Sequence, residues 1–141
     1  MKRLPDDLPD CTVFLLGKAY QKAHSDFQKR LKPYGLTNMQ HLVLEGLWYK
    51  NGRTATELCK GLVLDKATLS GVLERMVESG WIVKKPDLED RRVQRIYISD
   101  KADSFKDRLI NERTQANKDL LSNFTMEESI ILKRLLRDIM G

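Results

Sequence analysis

The sequence predicts a mainly α-helical fold with one small β-hairpin, an α+β arrangement in which helices dominate. Three observations predict it. Apolar residues recur at steps of three and four over most of the 141 residues. Three Thr-x-x-Gln/Glu stretches, at Thr37, Thr54 and Thr125, read as helix-starting capping boxes. Only one pair of short β-branched and aromatic runs, Trp81-Ile82-Val83 and Ile96-Tyr97-Ile98, departs from the helical pattern.

In chain order, Pro5 and Pro9 punctuate a polar leader. Val13, Leu16, Tyr20, Ala23, Phe27 and Leu31 then form one stripe of a long helix, which ends where Pro33 and Gly35 break the pattern. Thr37 and Gln40 open a second helix bearing Met39, Leu42, Val43, Leu47 and Trp48, stopped at Asn51-Gly52. Thr54 and Glu57 cap a short third helix, expected to run to about Lys60 with the turn at Gly61. Asp65 caps a fourth, whose apolar face is Leu69, Val72, Leu73, Met76 and Val77, and Ser79-Gly80 ends it. Short helix, tight turn and second helix make a helix-turn-helix. A fifth helix begins at Asp100 with Phe105, Leu109, Ala116 and Leu120 on one side. The last begins at the Thr125-Glu128 cap and carries Ile131, Leu132, Leu135, Leu136 and Ile139.

The hairpin between the fourth and fifth helices is unusual. Five basic and three acidic residues crowd Lys84 to Arg95. Two strands are too few for an independent sheet, so one face must rest on the helices. Alternation turns Ile96 and Ile98 inward and Arg95 and Tyr97 outward, which displays the loop. Arg91 and Arg92 at its tip suit a narrow, electronegative minor groove. Asp90 does not fit a simple phosphate clamp; its role is to orient a neighbouring arginine by a bidentate pair. On the fourth helix, the face opposite the core carries Lys66, Thr68, Ser70, Gly71, Glu74 and Arg75. Short side chains there allow close approach to base edges, and Lys and Arg reach phosphate or guanine. Any solvated amphipathic helix shows such a face. What gives it meaning is the charged hairpin that follows a helix-turn-helix. Together they read as a winged helix on double-stranded DNA.

Composition agrees. Charged residues are 32% and apolar residues 41%, which predicts one folded domain. The net charge of +5 tilts mildly towards a polyanionic partner. No run of about 18 apolar residues predicts a membrane span. The leader lacks the apolar core of an export signal, so a cytoplasmic place is expected. The two cysteines, Cys11 and Cys59, form no CxxC pair and are expected as reduced thiols, Cys59 as a small core residue. An enzyme is not indicated, because a phosphate-cradling glycine loop and a G-x-S-x-G elbow are both missing. Nor do His24 and His41 form a triad. No cofactor is called for.

The stretches "YGLTNMQHLVL" and "TATELCKGLVLDKATLSGVLERMVESGWIVKKPDLEDRRVQRIYIS", with the long helices on either side, resemble the MarR family of transcription regulators. The Asp-x-Arg wing signature is met by Asp90 and Arg92, and the strand after it ends in Ile98-Ser99. The resemblance covers nearly the whole chain. It implies a repressor that binds a pseudo-palindromic operator as a homodimer and is released by a small effector. It implies three regions: an N-terminal dimerisation helix over 1–36, a winged DNA-binding domain over 37–100, and C-terminal dimerisation helices over 101–141. The excess apolar surface of the terminal helices agrees with a dimer. Thr54, Lys66, Thr68, Ser70, Arg75, Asp90, Arg91 and Arg92 form the expected DNA-contacting set.

The effector is less visible. The family theme of a phenolic or aromatic acid, bound between the dimer helices and the winged domain, implies Tyr20, His24, His41 and Arg113 as lining residues. An alternative is a peroxide sensor using Cys11. The family's sensing cysteine position falls on Val13, however, and its tyrosine positions fall on Phe27 and Asn38. A zinc site of His41 with carboxylates such as Glu45 is a weaker reading, and no metal is expected. A helical module that uses its winged part for protein contacts is the remaining alternative.

Overall fold

The computed structural model describes residues 5–141; residues 1–4, the start of the polar leader, lie outside the described residues. A 3-10 turn over Leu8–Asp10 precedes α1 (Thr12–Leu31), and another over Lys32–Tyr34 joins it to α2 (Asn38–Tyr49). Then come α3 (Ala55–Leu62), α4 (Lys66–Glu78), β1 (Ile82–Pro86), β2 (Gln94–Ile98), α5 (Asp100–Leu120) and α6 (Met126–Met140).

The expected caps set the helix starts. Thr37 with Gln40, Thr54 with Glu57 and Thr125 with Glu128 all form reciprocal capping boxes. Asp65 accepts from Thr68 N–H at the head of α4. The core lies where α2, α3, α4 and the hairpin meet. Val43, Leu44, Leu47, Leu58, Leu69, Leu73, Met76, Trp81, Ile82 and Ile96 are buried there, with Leu31, Leu36 and Leu109 joining from the long helices. The strands pair antiparallel, Ile82 opposite Ile98 and Lys84 opposite Ile96. The hairpin has a third backbone partner. Gly52 N–H donates to Ile96 O at 3.0 Å, and Ile96 N–H donates to Arg53 O at 2.8 Å.

Two local expectations are corrected. The helix α3 does not stop near Lys60 with a turn at Gly61; it runs through Gly61 to Leu62. Leu62 packs against the core, which draws the helix on. The Arg53 guanidinium lies over Gly61, 2.6 Å from where a Cβ would stand, and could swing aside from a larger residue. The turn falls on Val63 at φ 56°, a left-handed conformation that a β-branched residue rarely adopts. Leu64 N–H closes it by donating to Cys59 O at 2.9 Å. Second, Val77 is 40% exposed rather than part of the packed face, because it lies one helical step around from Met76.

The terminal helices leave much apolar surface uncovered within one chain. Only the lower part of the α1 stripe, Phe27 and Leu31, meets the core, while Val13 is 79% exposed. On α6, Ile130, Ile131, Leu135, Leu136 and Ile139 are all exposed. Inter-helix ties are clearer between α1 and α5, where Arg30 pairs with Glu112 at 3.2 Å and also with Asp119.

Ile96 on β2, with Ile82 on β1, carries the hairpin into the core. Ile96→Ala should destabilise the fold by about 2–5 kcal/mol. Urea unfolding of the variant against the parent checks this. A loss below about 1 kcal/mol would mean that the hairpin is not anchored through this side chain.

Candidate nucleic-acid interface

One surface gathers the residues expected to meet DNA. On α4, Leu69, Val72, Leu73 and Met76 face the core, while Lys66, Thr68, Ser70 and Arg75 are exposed. Thr68 is doubly tied to Asp65, through its N–H and its hydroxyl, both at 3.2 Å. The helix therefore starts with a fixed first turn. The Arg75 guanidinium lies beside Gly71, 3.9 Å from where a Cβ would stand. Thr54, at the head of α3, spends its hydroxyl oxygen on the capping box, accepting from Glu57 N–H at 3.2 Å.

The hairpin loop has an internal skeleton. Arg92 Nε and Nη2 donate to the two carboxylate oxygens of Asp90 at 3.1 and 3.2 Å, and Arg92 N–H donates to Asp90 as well. The geometry is the bidentate pair expected from the sequence. The Arg92 side chain is nonetheless 91% exposed, so the pair aims the guanidinium without burying it. Arg91 is exposed beside it. The hydrogen bonds from Arg92 hold the Asp90 carboxyl below its ordinary value.

Two residues that the sequence does not single out for a role here, Asp87 and Arg95, organise this loop, and Asn51 holds the base of the hairpin. The Asp87 carboxylate accepts from the backbone N–H groups of Glu89 and Asp90 at 3.2 and 3.0 Å. This is an Asx turn, and an aspartate after Pro86 at the end of a strand could have signalled it. Arg95 Nε donates to the same aspartate at 2.6 Å, and its Nη1 donates to Gly52 O at 2.9 Å. Glu57 adds a longer contact at 3.9 Å. Asn51 Oδ1 accepts from Ile98 N–H at 2.9 Å. Arg53 lies over the Tyr49 ring at 5.6 Å. No local pattern reveals the Gly52 partner of Arg95 or the Ile98 partner of Asn51, which lie dozens of residues away. Cys59 packs against the core as expected, and Cys11 sits half-buried at the head of α1.

A second feature lies away from this surface, between α1, α2 and α5. A cleft of about 550 Å³ is lined there by Tyr20, His24, His41 and Arg113, all four of the expected effector residues. Its walls are mainly apolar, with Ala23, Phe27, Met39, Leu42, Ala116 and Leu120. Tyr20 Oη and His24 Nδ1 are 3.3 Å apart on the exposed side. His41 is buried and meets the Phe27 ring edge-on at 5.0 Å. Arg113 Nη1 stands 2.6 Å from Glu45 Oε2. Glu45 Oε1 and His41 Nε2 are 3.3 Å apart, and neither has a hydrogen-bond partner among the described residues. Burial pushes the Glu45 carboxyl up, against the opposing pull of Arg113. Among the described residues no group of three or more His, Cys, Asp or Glu is arranged to hold a metal. No described helix is long and apolar enough to cross a membrane.

Comparison with known proteins gives a consistent picture. The sequence model of the MarR family matches residues 34–93. The chain is similar to the transcriptional regulator Hpr of Bacillus mycoides, 30% identical over 135 residues, 89% of this chain and 73% of Hpr. It is 27% identical over 133 residues to the transcriptional repressor NicR of Pseudomonas putida, 94% of this chain and 84% of NicR. Its fold resembles that of Bordetella bronchiseptica BpsR, whose DNA binding is regulated by 6-hydroxynicotinic acid. The TM-score is 0.88 at 21% identity, over 99% of each chain.

Burial, and after it Arg113, lower the His41 imidazole from 6.5 to about 4. The folded chain then keeps His41 neutral at a pH where the unfolded chain has already bound the proton. This costs nothing well above pH 6.5 and grows as the pH falls towards 4. The raised Glu45 carboxyl acts in the opposite sense and offsets part of it. By pH 5 the His41 contribution should be on the order of 2 kcal/mol of lost stability. His41→Leu should therefore flatten the acid limb, measured as urea unfolding at pH 7.5 and pH 5. An equal loss in both proteins would show that another group titrates instead.

Proposed function

Since the chain belongs to the MarR family of helix-turn-helix transcriptional regulators, which are not enzymes, we propose that it is a repressor that binds a pseudo-palindromic operator as a homodimer and is released by a small planar aromatic effector. The observation that carries the DNA reading is the exposed Arg92, aimed by Asp90 beside the polar face of α4. In this reading Lys66, Thr68, Ser70 and Arg75 meet the major groove, and Arg91 and Arg92 meet the adjacent minor groove. Thr54 contacts the phosphate backbone from the head of α3. The dimer reading is supported by the uncovered apolar faces of α1 and α6, in the regions 1–36 and 101–141. A two-fold dimer with one winged unit per chain calls for half-sites spaced by about one helical turn, roughly 10 bp.

The effector reading is supported by the cleft, which borders both the long helices and α2 of the winged unit. BpsR, alike in fold, has its DNA binding regulated by a small aromatic molecule, 6-hydroxynicotinic acid, which supports a small effector without fixing its charge here. Selection of bound sites from random DNA, with sedimentation of the free protein, tests the whole proposal. A monomer that recovers only unsymmetrical single half-sites would overturn it.

The loop residues give a sharper test. Arg92→Ala should weaken DNA binding by about 1–3 kcal/mol, the scale of one good base contact. Asp90→Ala should lose part of the same energy, and the double variant should be less than additive. Lys84→Ala or Lys85→Ala, on the strand and away from the tip, should weaken binding only modestly and about equally on all sequences. DNA affinity at fixed salt, with thermal melts alongside, reads these effects. Full affinity in a well-folded Arg92→Ala would remove the wing from the interface.

A further inference from the structure

The charges of the cleft between α1, α2 and α5 point to what it can hold. Its apolar walls and its volume of about 550 Å³ suit a one- or two-ring aromatic molecule. Among the described residues that line it, Arg113 is the sole arginine or lysine. That cation is already paired: Glu45 Oε2 lies 2.6 Å from Arg113 Nη1. Asp26, at the rim, adds a second carboxylate, itself paired with Lys22 at 2.9 Å. An incoming carboxylate therefore meets no unpaired arginine or lysine on the described lining and two groups of its own sign.

To bind at Arg113, such a ligand must either displace Glu45 or crowd a second carboxylate onto the same guanidinium, of which Nη1 already faces Glu45. A displaced Glu45 carboxylate would be left against the buried His41 ring, where its Oε1 already lacks a hydrogen-bond donor, with only the weaker pull of Lys106 still acting on it. Leaving a half-buried charge without its partner is costly. A hydroxyl group avoids the conflict, because it can donate to the carboxylate and accept from the guanidinium of an intact pair.

We propose that Glu45 sets the ligand class of this cleft, admitting uncharged aromatic molecules that carry a hydroxyl and refusing aromatic carboxylates. The proposal rests on the cleft being the effector site, and it chooses between the two ligand chemistries left open above. Glu45 is then a specificity-determining residue that acts through Arg113.

The test is isothermal titration calorimetry of the full chain at pH 7 with two probes of equal ring size, 2-naphthol and 2-naphthoate. The parent protein should bind 2-naphthol at least about tenfold more tightly, the scale of one charge-assisted hydrogen bond. Glu45→Gln frees the guanidinium and should raise 2-naphthoate affinity by about tenfold or more, with little change for 2-naphthol. The added substitution Arg113→Met should abolish that gain. Parent protein that binds 2-naphthoate as tightly as 2-naphthol overturns the selectivity and leaves the effector site standing. The expected preference in the parent, unchanged in a Glu45→Gln that melts cooperatively, removes Glu45 as its cause. Should neither probe bind either protein, the effector reading of the cleft falls, and the proposal with it. The parent comparison needs no variant, so a Glu45→Gln that fails to fold still leaves the selectivity open to refutation.

Discussion

Two backbone hydrogen bonds between the Gly52-Arg53 segment and Ile96 tie the hairpin to the helix-turn-helix, and the placing of the charged loop beside α4 depends on that tie. Two five-residue strands alone would be marginal in water. A third backbone partner and the burial of Ile96 turn them into a fixed part of the core. The crossing is close. Gly52 is left-handed at φ 78°, and a Cβ there would stand 2.9 Å from the Tyr97 ring. Arg95 then carries the fix outward, holding Gly52 O with one nitrogen and Asp87 with another. Asp87 gathers the turn, and Asp90 aims Arg92 from it. The direction of one exposed guanidinium is thus set by a chain of contacts that begins in the core.

The helix α2 links this tie to the cleft. Met39, His41, Leu42 and Glu45 line the cleft, and Asn51 to Arg53 anchor the hairpin just past the end of the same helix. Between them Val43, Leu44, Gly46 and Leu47 are buried. At Gly46 the Leu58 and Leu62 side chains of α3 come within 3.3 and 3.4 Å of where a Cβ would stand. Close packing of this kind leaves α2 little freedom to move without moving α3 and the hairpin. An event in the cleft that shifts α2 is therefore felt on the candidate DNA-facing side without a separate relay.

Much of the fold was legible because it is written in local chemistry. The capping boxes need only residues three apart, and the helical stripes only a period. The Asp90–Arg92 pair lies two residues apart in sequence and was readable for the same reason. Where the reading failed, the cause was tertiary. Gly61 carries the local signal of a turn, but Leu62 beyond it packs on the core and draws α3 through the glycine. Arg95 read as one more outward charge on a strand, since its partner carbonyl at Gly52 is distant in sequence. The four cleft residues were named from a family resemblance and do lie together. Glu45, on which the charge balance turns, carries no sequence signal beyond that of a possible metal ligand beside His41.

The two arginine–carboxylate pairs show how one chemistry serves two ends according to its surroundings. Asp90 and Arg92 meet in water, where their attraction adds little to stability and both charges remain available. The pair restricts direction, so that a cation already oriented can enter a groove with less ordering still to be done. Glu45 and Arg113 meet at the edge of an apolar cleft, where Glu45 is largely buried. There the attraction is less screened, and the pair removes a charge from use rather than presenting one. Exchanging the environments would exchange the roles: a buried Arg92 could not reach a phosphate groove, and an unpaired Arg113 would draw in any small anion. The exposure of each pair, more than its residue types, therefore decides whether its arginine presents a charge or withholds one.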